Sequence, residues 1–226
     1  PSEGSVSEPV LDMAARLGFS WTATDEAILR RSLGAAGVSA DEGWLFQPYR
    51  WRNGSLSLLF REHGLSDRVG FVYQKWAPGE AARDLVGRWL ALSSKHPEGV
   101  LTLILDGENP WDYYPQSGRP FLEALLEEAS RHRELELCAC SSAVTCATRS
   151  LGHLVPGSWI DGTFRIWFGH EDDRRAWGLL DDIRKRLRPE QLDEQREIRE
   201  GMLAAEGSDW FWWYGEENPT PELDRF

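Results

Sequence analysis

Short apolar runs alternate with helically spaced apolar positions over the first two thirds of the chain. The apolar runs predict strands at residues 19–23, 56–60, 69–73, 101–105 and 135–140. Apolar spacings of three and four predict helices at residues 7–17, 24–33, 80–92, 120–132 and 142–151. The stretch 34–53 is predicted to be a long loop that contains Trp44, Tyr49 and Trp51. Strands that alternate with helices of this length indicate βα units around a parallel sheet.

After Pro156 the pattern changes from alternating strands and helices to helices alone. Acidic residues open a predicted helix at residues 171–188 and basic residues close it, an arrangement that complements the helix dipole. A second helix is predicted at residues 189–205. The sequence therefore predicts an α/β part over residues 1–169 and a helical region over residues 170–226.

The stretch LTLILDGENPWDYY, residues 101–114, is the strongest functional signal in the chain. An apolar run of this length predicts a strand that is buried on both faces, and Asp106 follows directly at its end. The carboxyl ends of parallel strands open onto a shared crevice where sites lie. A carboxylate beside Trp111, Tyr113 and Tyr114 suits a sugar ring. The alternative is an ordinary turn, since Asp-Gly is a common turn dipeptide.

Composition narrows the possible partners. The net charge of −12 argues against a nucleic-acid or anionic-membrane partner, and no apolar run approaches the roughly 20 residues of a membrane span. We therefore expect a cytoplasmic protein. The twelve tryptophans indicate either a large aromatic core or stacking platforms for carbohydrate.

Three cysteines, Cys138, Cys140 and Cys146, are close in sequence, with His153 as the nearest possible fourth ligand of a metal. Their spacing fits no standard zinc pattern, so buried free thiols around a strand are expected, and no metal or other cofactor is predicted.

Three further motifs carry a family resemblance. PSEGSVS (residues 1–7), LDGENPW (residues 105–111) and AEGSDWFWWYG (residues 205–215) resemble conserved regions of glycoside hydrolase family 57, in its amylopullulanase-like branch. The connecting stretches ATDE (23–26), LSDRVGFVY (65–73) and PGSWIDGTFRIWFGHEDD (156–173) are similar to the same branch.

The resemblance implies a fold and an activity. The fold would be the later part of an incomplete (β/α)7 TIM-like barrel, followed by the start of a helical region. The family's first two conserved regions would precede Glu3. The ends at Pro1 and Phe226 also predict a segment of a longer polypeptide. The implied activity is hydrolysis of α-1,4 or α-1,6 linkages in α-glucans with retention of configuration. A 4-α-glucanotransferase, a branching enzyme and a non-catalytic carbohydrate-binding segment remain alternatives.

The resemblance also implies roles for particular residues. Glu3 matches the family's nucleophile and Asp106 its general acid/base. The residues expected to contact substrate are Trp111, Trp159, His170, Asp209, Trp210 and Trp212. Retaining enzymes need two carboxyl groups about 5–5.5 Å apart, and Glu108 is the main rival of Asp106 for the acid role.

Overall fold

The computed structural model describes residues 2–40 and 43–213. Tyr214 and Gly215 of the aromatic motif, and the chain end at Phe226, lie outside these residues. The chain forms two compact units, one comprising Glu3–Gly162 and one that begins at Thr163. The domain division predicted at residues 169 and 170 stays a prediction.

The first unit is a mixed α/β structure around a four-stranded sheet. Its helices are α1 (Glu8–Arg16), α2 (Glu26–Ala35), α3 (His63–Asp67), α4 (Pro78–Lys95), α5 (Arg119–Ser130) and α6 (Cys140–Ala143). Its strands are β1 (Trp21–Asp25), β2 (Tyr49–Trp51), β3 (Ser57–Arg61) and β4 (Arg149–Leu151). The strand order is β1-β3-β2-β4, with β1 parallel to β3, β2 antiparallel to β3 and β2 parallel to β4.

Strand β3 lies inside this sheet, between β1 and β2, and all five of its residues are buried. Helix α2 covers it. Asp25 is the N-cap residue of this helix, and its carboxylate accepts a hydrogen bond from the Ala27 amide at 2.9 Å. The helix buries Ile28, Leu29 and Leu33 on one face, where they pack with the sheet residues in one core cluster. The βα unit predicted for residues 19–33 is confirmed.

A second core cluster joins α4 and α5. The ring of Phe121 packs at a tilt against Tyr73 and Tyr114 within it, and the Tyr114 hydroxyl donates to the Val69 carbonyl at 2.6 Å. The Tyr73 hydroxyl donates to Asp84, and burial together with this carboxylate raises the pKa of Tyr73 to about 12. Both phenols therefore stay protonated and hold the segments around them at neutral pH.

The strand predicted at residues 69–73 is wrong. A π-helical turn occupies Arg68–Val72 and a 3-10 turn occupies Tyr73–Lys75. Val69 and Tyr73 are buried while Phe71 and Val72 are exposed. Buried positions four residues apart fit one helix face, whereas a strand would bury alternate residues.

Three other predicted elements need correction. The loop predicted at residues 34–53 contains β2, whose burial alternates along its three residues. Residues 135–139 are extended but form no ladder, and residues 142–151 hold the end of α6, a 3-10 turn and β4 in place of one helix. Local pattern alone missed these elements because β2 and β4 each gain their partner from a distant segment.

The segment 101–106 differs from the predicted strand buried on both faces. It is half-buried and forms no ladder, with one parallel bridge from Thr102 to Arg61. Leu101 and Leu103, with Trp89 and Leu135 among others, line a cavity of about 600 Å³.

The second unit is helical over its described residues. Its helices are α7 (Arg165–Phe168), α8 (Glu171–Arg186), α9 (Pro189–Glu194), α10 (Arg196–Ala205) and α11 (Ser208–Trp213). The predicted acidic start and basic end of α8 are confirmed. Trp177 and Phe211 stack with ring centroids 3.9 Å apart. Among the described helices, none has the length and apolar content needed to cross a membrane.

Glu8 connects α1 to the chain around β4 through charged hydrogen bonds. Its carboxylate accepts from the Leu154 amide at 3.0 Å and from His153 and Arg52 at 2.5 Å. The Leu154 amide is the largest influence that lowers the pKa of Glu8 from its usual 4.5.

We expect Glu8→Gln to lower the free energy of unfolding at pH 7 by about 1–2 kcal/mol. Because the native pKa is depressed, this stabilisation is present above pH 4.5 and is lost as the pH falls through the native value. Urea unfolding at several pH values measures it. Glu123→Gln, in an exposed pair with Arg119, is the control and should change stability by less than about 0.5 kcal/mol. An equal deficit of Glu8→Gln at pH 3 and pH 7 would contradict the prediction.

Candidate active site

Charged side chains collect where the parallel strands end. Asp25 is the last residue of β1 and Arg61 the last of β3, and the register pairs them directly. Arg61 is in turn bridged to Thr102, at the start of the segment that leads to Asp106. The carboxyl ends of three parallel segments therefore meet along one edge of the sheet, where sites form in α/β architectures.

Arg61 is the centre of this edge and is only 6% exposed. Its Nη1 lies 3.5 Å from Asp25 Oδ2 and its Nη2 lies 2.6 Å from Asp67 Oδ1. Its Nε donates to the Ile104 carbonyl at 2.9 Å, and its guanidinium lies over the Trp159 ring at 5.2 Å from the centroid. Two carboxylates thus compensate the buried charge, while the planar fork connects two further segments.

His63 forms the solvent-facing side of the same network. Its Nδ1 lies 3.3 Å from Asp25 Oδ2 and its Nε2 lies 2.9 Å from Asp67 Oδ2. The His63 side chain is 46% exposed, so the polar ring is accessible to a ligand. An exposed imidazole beside a carboxylate is suited to hydrogen bonds with sugar hydroxyls.

Glu26 adds a carboxyl group that holds its proton to a higher pH than usual. Burial is the largest cause of its raised pKa, and the nearby charges of Glu62 and Asp25 add to it. A carboxyl group with a raised pKa is a common property of sites that transfer protons.

Glu3 lies beside the end of β1. Its carbonyl accepts from the Trp159 amide at 2.8 Å, and the carbonyl of the next residue, Gly4, accepts from the Thr24 hydroxyl at 2.6 Å. Glu3 has φ 42°, a conformation that L residues rarely adopt and that concentrates at functional sites. Its side chain is half-buried.

Asp106 comes two residues after Ile104 and is also half-buried. Both polar groups of Ile104 are held by β3 and α3, since its carbonyl accepts from Arg61 and its amide donates to Ser66 Oγ at 3.3 Å. Arg61 therefore contacts the segment that leads to Asp106 and the indole of Trp159, whose backbone amide donates to the Glu3 carbonyl. Glu108, the rival acid, is exposed.

A family model describes this part of the chain. The model for glycosyl hydrolase family 57 matches residues 1–152, about two thirds of the sequence. The chain belongs to glycosyl hydrolase family 57. No curated protein matches the sequence significantly.

Solved structures of two family 57 branching enzymes and of a 4-α-glucanotransferase match this fold. The branching enzyme of Pyrococcus horikoshii matches with a TM-score of 0.67 and 14% identity, over 89% of this chain and 46% of that one. The branching enzyme of Thermococcus kodakaraensis matches with a TM-score of 0.65 and 15% identity, over 90% and 48%. The 4-α-glucanotransferase of Thermococcus litoralis matches with a TM-score of 0.52 and 13% identity, over 81% and 28%. The chain therefore spans less than half of the length of these enzymes.

The predicted substrate contacts of this family 57 chain divide between its two units. Trp159 is half-buried beside Arg61, and Trp111 is half-buried in the 3-10 turn Asn109–Tyr113. Trp111 packs on Tyr114 with centroids 5.4 Å apart, so its ring contributes to the core as well as to any sugar platform. The substrate roles of both indoles stay predictions.

The other four predicted contacts belong to the second unit. The His170 amide donates to Asp173 at the start of α8, and Trp212 packs against Trp167 with centroids 5.7 Å apart. Asp209 is exposed, and Trp210 is half exposed with its Nε1 donating to the Ala204 carbonyl at 2.8 Å. Their substrate roles also stay predictions.

Gly118 explains how closely Trp111 is held. A Cβ at this glycine would lie 2.3 Å from Trp111 Cε3, and the residue has φ 81°. We expect Gly118→Ala to destabilise the fold by roughly 3 kcal/mol, because backbone strain and a steric clash combine. Thermal unfolding measures this.

Gly18→Ala is the matched control, since Gly18 has the same φ and its Cβ would meet nothing within 4 Å. Only the backbone strain of about 1–2 kcal/mol should remain there. Equal losses for the two variants would show that the Trp111 contact is unimportant.

The sequence reasoning missed the roles of Asp25, Arg61 and His63 at this edge. The signal was present, because each of the runs TATD and SLLFR ends in a charged residue, as the run before Asp106 does. In the part of the chain that the structure describes, no group of three or more His, Cys, Asp or Glu residues could hold a metal ion. Cys138, Cys140 and Cys146 are free thiols, but their predicted burial is wrong, since Cys138 and Cys146 are exposed and Cys140 is half-buried.

Proposed function

We propose that this family 57 protein acts on α-glucans with retention of configuration, with Glu3 as nucleophile and Asp106 as general acid/base. The observation that supports it most is that both residues border one polar edge: Glu3 through Trp159 and Thr24, and Asp106 through Ile104 and Arg61. A retaining mechanism needs two carboxyl groups that face one glycosidic bond.

The proposed reaction has two steps. The Glu3 carboxylate attacks the anomeric carbon, the bond from that carbon to the glycosidic oxygen breaks, and Asp106 gives its proton to the departing oxygen. The Asp106 carboxylate then takes a proton from an acceptor hydroxyl. The acceptor oxygen bonds to the anomeric carbon and releases Glu3.

The fold in this proposal is the later part of an incomplete (β/α)7 barrel. The carboxyl ends of β1, β3 and the segment 101–106 would form part of the barrel mouth, where catalytic groups lie in such folds. Strands upstream of the chain would complete the wall, in keeping with its coverage of less than half of the branching enzymes.

The substrate would be an α-glucan that spans several subsites. In the first unit, Trp159 and Trp111 would provide stacking surfaces for glucose units. Asp209, Trp210, Trp212 and His170 are the substrate contacts that we propose within the second unit.

Transfer to a sugar acceptor is the second candidate function. The observation that favours it is that the structural matches are branching enzymes and a 4-α-glucanotransferase. Hydrolysis and transfer share the covalent intermediate and differ in whether water or a sugar hydroxyl attacks it.

Product analysis tests the proposal. The purified protein is incubated with maltoheptaose or amylose, and proton NMR follows the first product anomer and any new α-1,6 linkages. New reducing ends of α configuration indicate retaining hydrolysis, while longer or branched chains without new reducing ends indicate transfer. A β anomer as first product would overturn the retaining mechanism. Binding of amylose without turnover would support the carbohydrate-binding alternative.

A further inference from the structure

The segment that leads to Asp106 is weakly tied to the sheet. A single parallel bridge at Thr102 joins it to β3, and the Glu62 amide donates to the Thr102 carbonyl at 3.0 Å. Beyond that point, the hydrogen bonds that hold the Ile104 peptide come from the side chains of Arg61 and Ser66. Hydrogen bonds from side chains thus hold the Ile104 peptide, in the place of the backbone ladder that would hold it in a continuous sheet.

Arg61 is itself fixed in position by its neighbours. It is buried, and Asp25 and Asp67 bind opposite nitrogens of its guanidinium. Asp25 is 0% exposed, so the pair lies out of water, where its geometry is fixed by hydrogen bonds on several sides. A buried ion pair contributes little net stability compared with apolar packing. We therefore attribute the role of the ion pairs of Arg61 to the position in which they hold its guanidinium, and not to a gain in stability.

The same guanidinium faces the other carboxylate-bearing segment. It lies over the Trp159 ring, whose backbone amide binds the Glu3 carbonyl. A cation over an indole restrains both the tilt and the distance of the ring. Arg61 therefore contacts both the Ile104 peptide and the Trp159 ring.

We propose that Arg61 is a positioning residue, which fixes the Asp106 segment and Trp159 relative to Glu3 without touching substrate. This inference rests on the proposed function. A loss of alignment should slow the step that needs the Asp106 proton most, because proton transfer depends steeply on donor position.

The chain offers a matched control in Arg52. Its guanidinium also binds two carboxylates, Glu8 and Asp12, lies over the Trp51 ring at 4.5 Å and donates to a backbone carbonyl, that of Gly152. It follows β2, which runs antiparallel to β3, so it lies at the opposite edge of the sheet from Arg61. Arg52→Met removes the same kinds of contact away from the proposed site.

The kinetic test compares two substrates with different leaving groups. We expect Arg61→Met to lower kcat/KM for maltoheptaose by about 10–100-fold and kcat/KM for α-maltosyl fluoride by less than about threefold, because kcat/KM reports the first step and fluoride leaves in that step without a proton. Arg61→Lys should retain most of the defect, since an ammonium group lacks the planar fork. Ser66→Ala, which frees the Ile104 amide, should show the same substrate dependence more weakly. Arg52→Met should change both rates by less than about twofold.

Amide hydrogen exchange tests the positioning role without a measurement of activity. Peptides that cover residues 101–106 and 158–160 should exchange at least about tenfold faster in Arg61→Met than in the wild type. Their exchange rates should be unchanged in Arg52→Met. If Arg61→Met does not fold, Arg61→Lys and Ser66→Ala carry the same comparison.

The two proposals fail in different ways. An inactive wild-type protein would overturn the proposed function, and the exchange data would then decide the positioning role alone. An active wild type would overturn the inference if the Arg61 variants lose both substrates equally, or if they leave both rates unchanged. Unaltered exchange at residues 101–106 and 158–160 would also overturn it.

Discussion

Replacement of Glu3 by glutamine is expected to lower kcat for α-glucans by at least about 10⁴-fold, because the amide cannot form the covalent glycosyl intermediate. The substitution keeps the size of the side chain, so the turn with φ 42° and the hydrogen bond from Trp159 to the Glu3 carbonyl should persist. Binding of amylose should therefore remain within about threefold of wild type, because substrate affinity comes from other contacts. Initial rates and isothermal titration calorimetry measure the two quantities.

Glu8→Gln is the control for this variant. Glu8 stabilises the fold but lies away from the proposed site. The loss of its charge should therefore lower the free energy of unfolding, while kcat stays within about twofold of wild type. Glu3→Ala with azide adds a chemical readout, since the anion can enter the vacated space and form a β-glycosyl azide from an α substrate. Full activity of Glu3→Gln would refute the nucleophile assignment.

Four helices and two strands of the first unit were predictable, whereas its other strands and the assembly of its site were not. Helix α2 and strand β3 follow from periodicity and capping, and the residues that bury their faces were readable in advance. The rule that a charged residue after an apolar run marks a strand end found Asp106. The same rule, applied to Asp25 and Arg61, would have found the buried pair.

What could not be predicted depends on contacts between distant segments. The pairing of Asp25 with Arg61 follows from the parallel register of β1 and β3, which hydrophobic pattern does not determine. The approach of Trp159 to Arg61 joins residues far apart in sequence. Strand β2 has three residues and a single exposed position, too short a pattern to identify alone. The predicted strand at 69–73 was wrong because an apolar run of that length fits a helix as well.

Substitution of Asp106 by asparagine is expected to lower kcat for maltoheptaose by about 10³-fold, because the departing oxygen then leaves without a proton. The loss for α-maltosyl fluoride should be much smaller in the first step, since fluoride needs no general acid. The glycosyl-enzyme should accumulate with this substrate, because the base that activates the acceptor is also missing. Intact-protein mass spectrometry would detect it, and peptide mapping would locate the sugar on Glu3.

Glu108→Gln separates Asp106 from its rival, and the distinction rests on position. Glu108 is exposed, whereas Asp106 is half-buried and follows the Ile104 peptide that Arg61 and Ser66 hold. A proton donor acts best where neighbouring groups fix it, so Glu108→Gln should change both rates by less than about threefold. Azide should restore turnover of α-maltosyl fluoride in Asp106→Ala and give the α-glycosyl azide, of opposite configuration to the product from Glu3→Ala. If Glu108→Gln shows the leaving-group dependence and Asp106→Asn does not, the acid role belongs to Glu108.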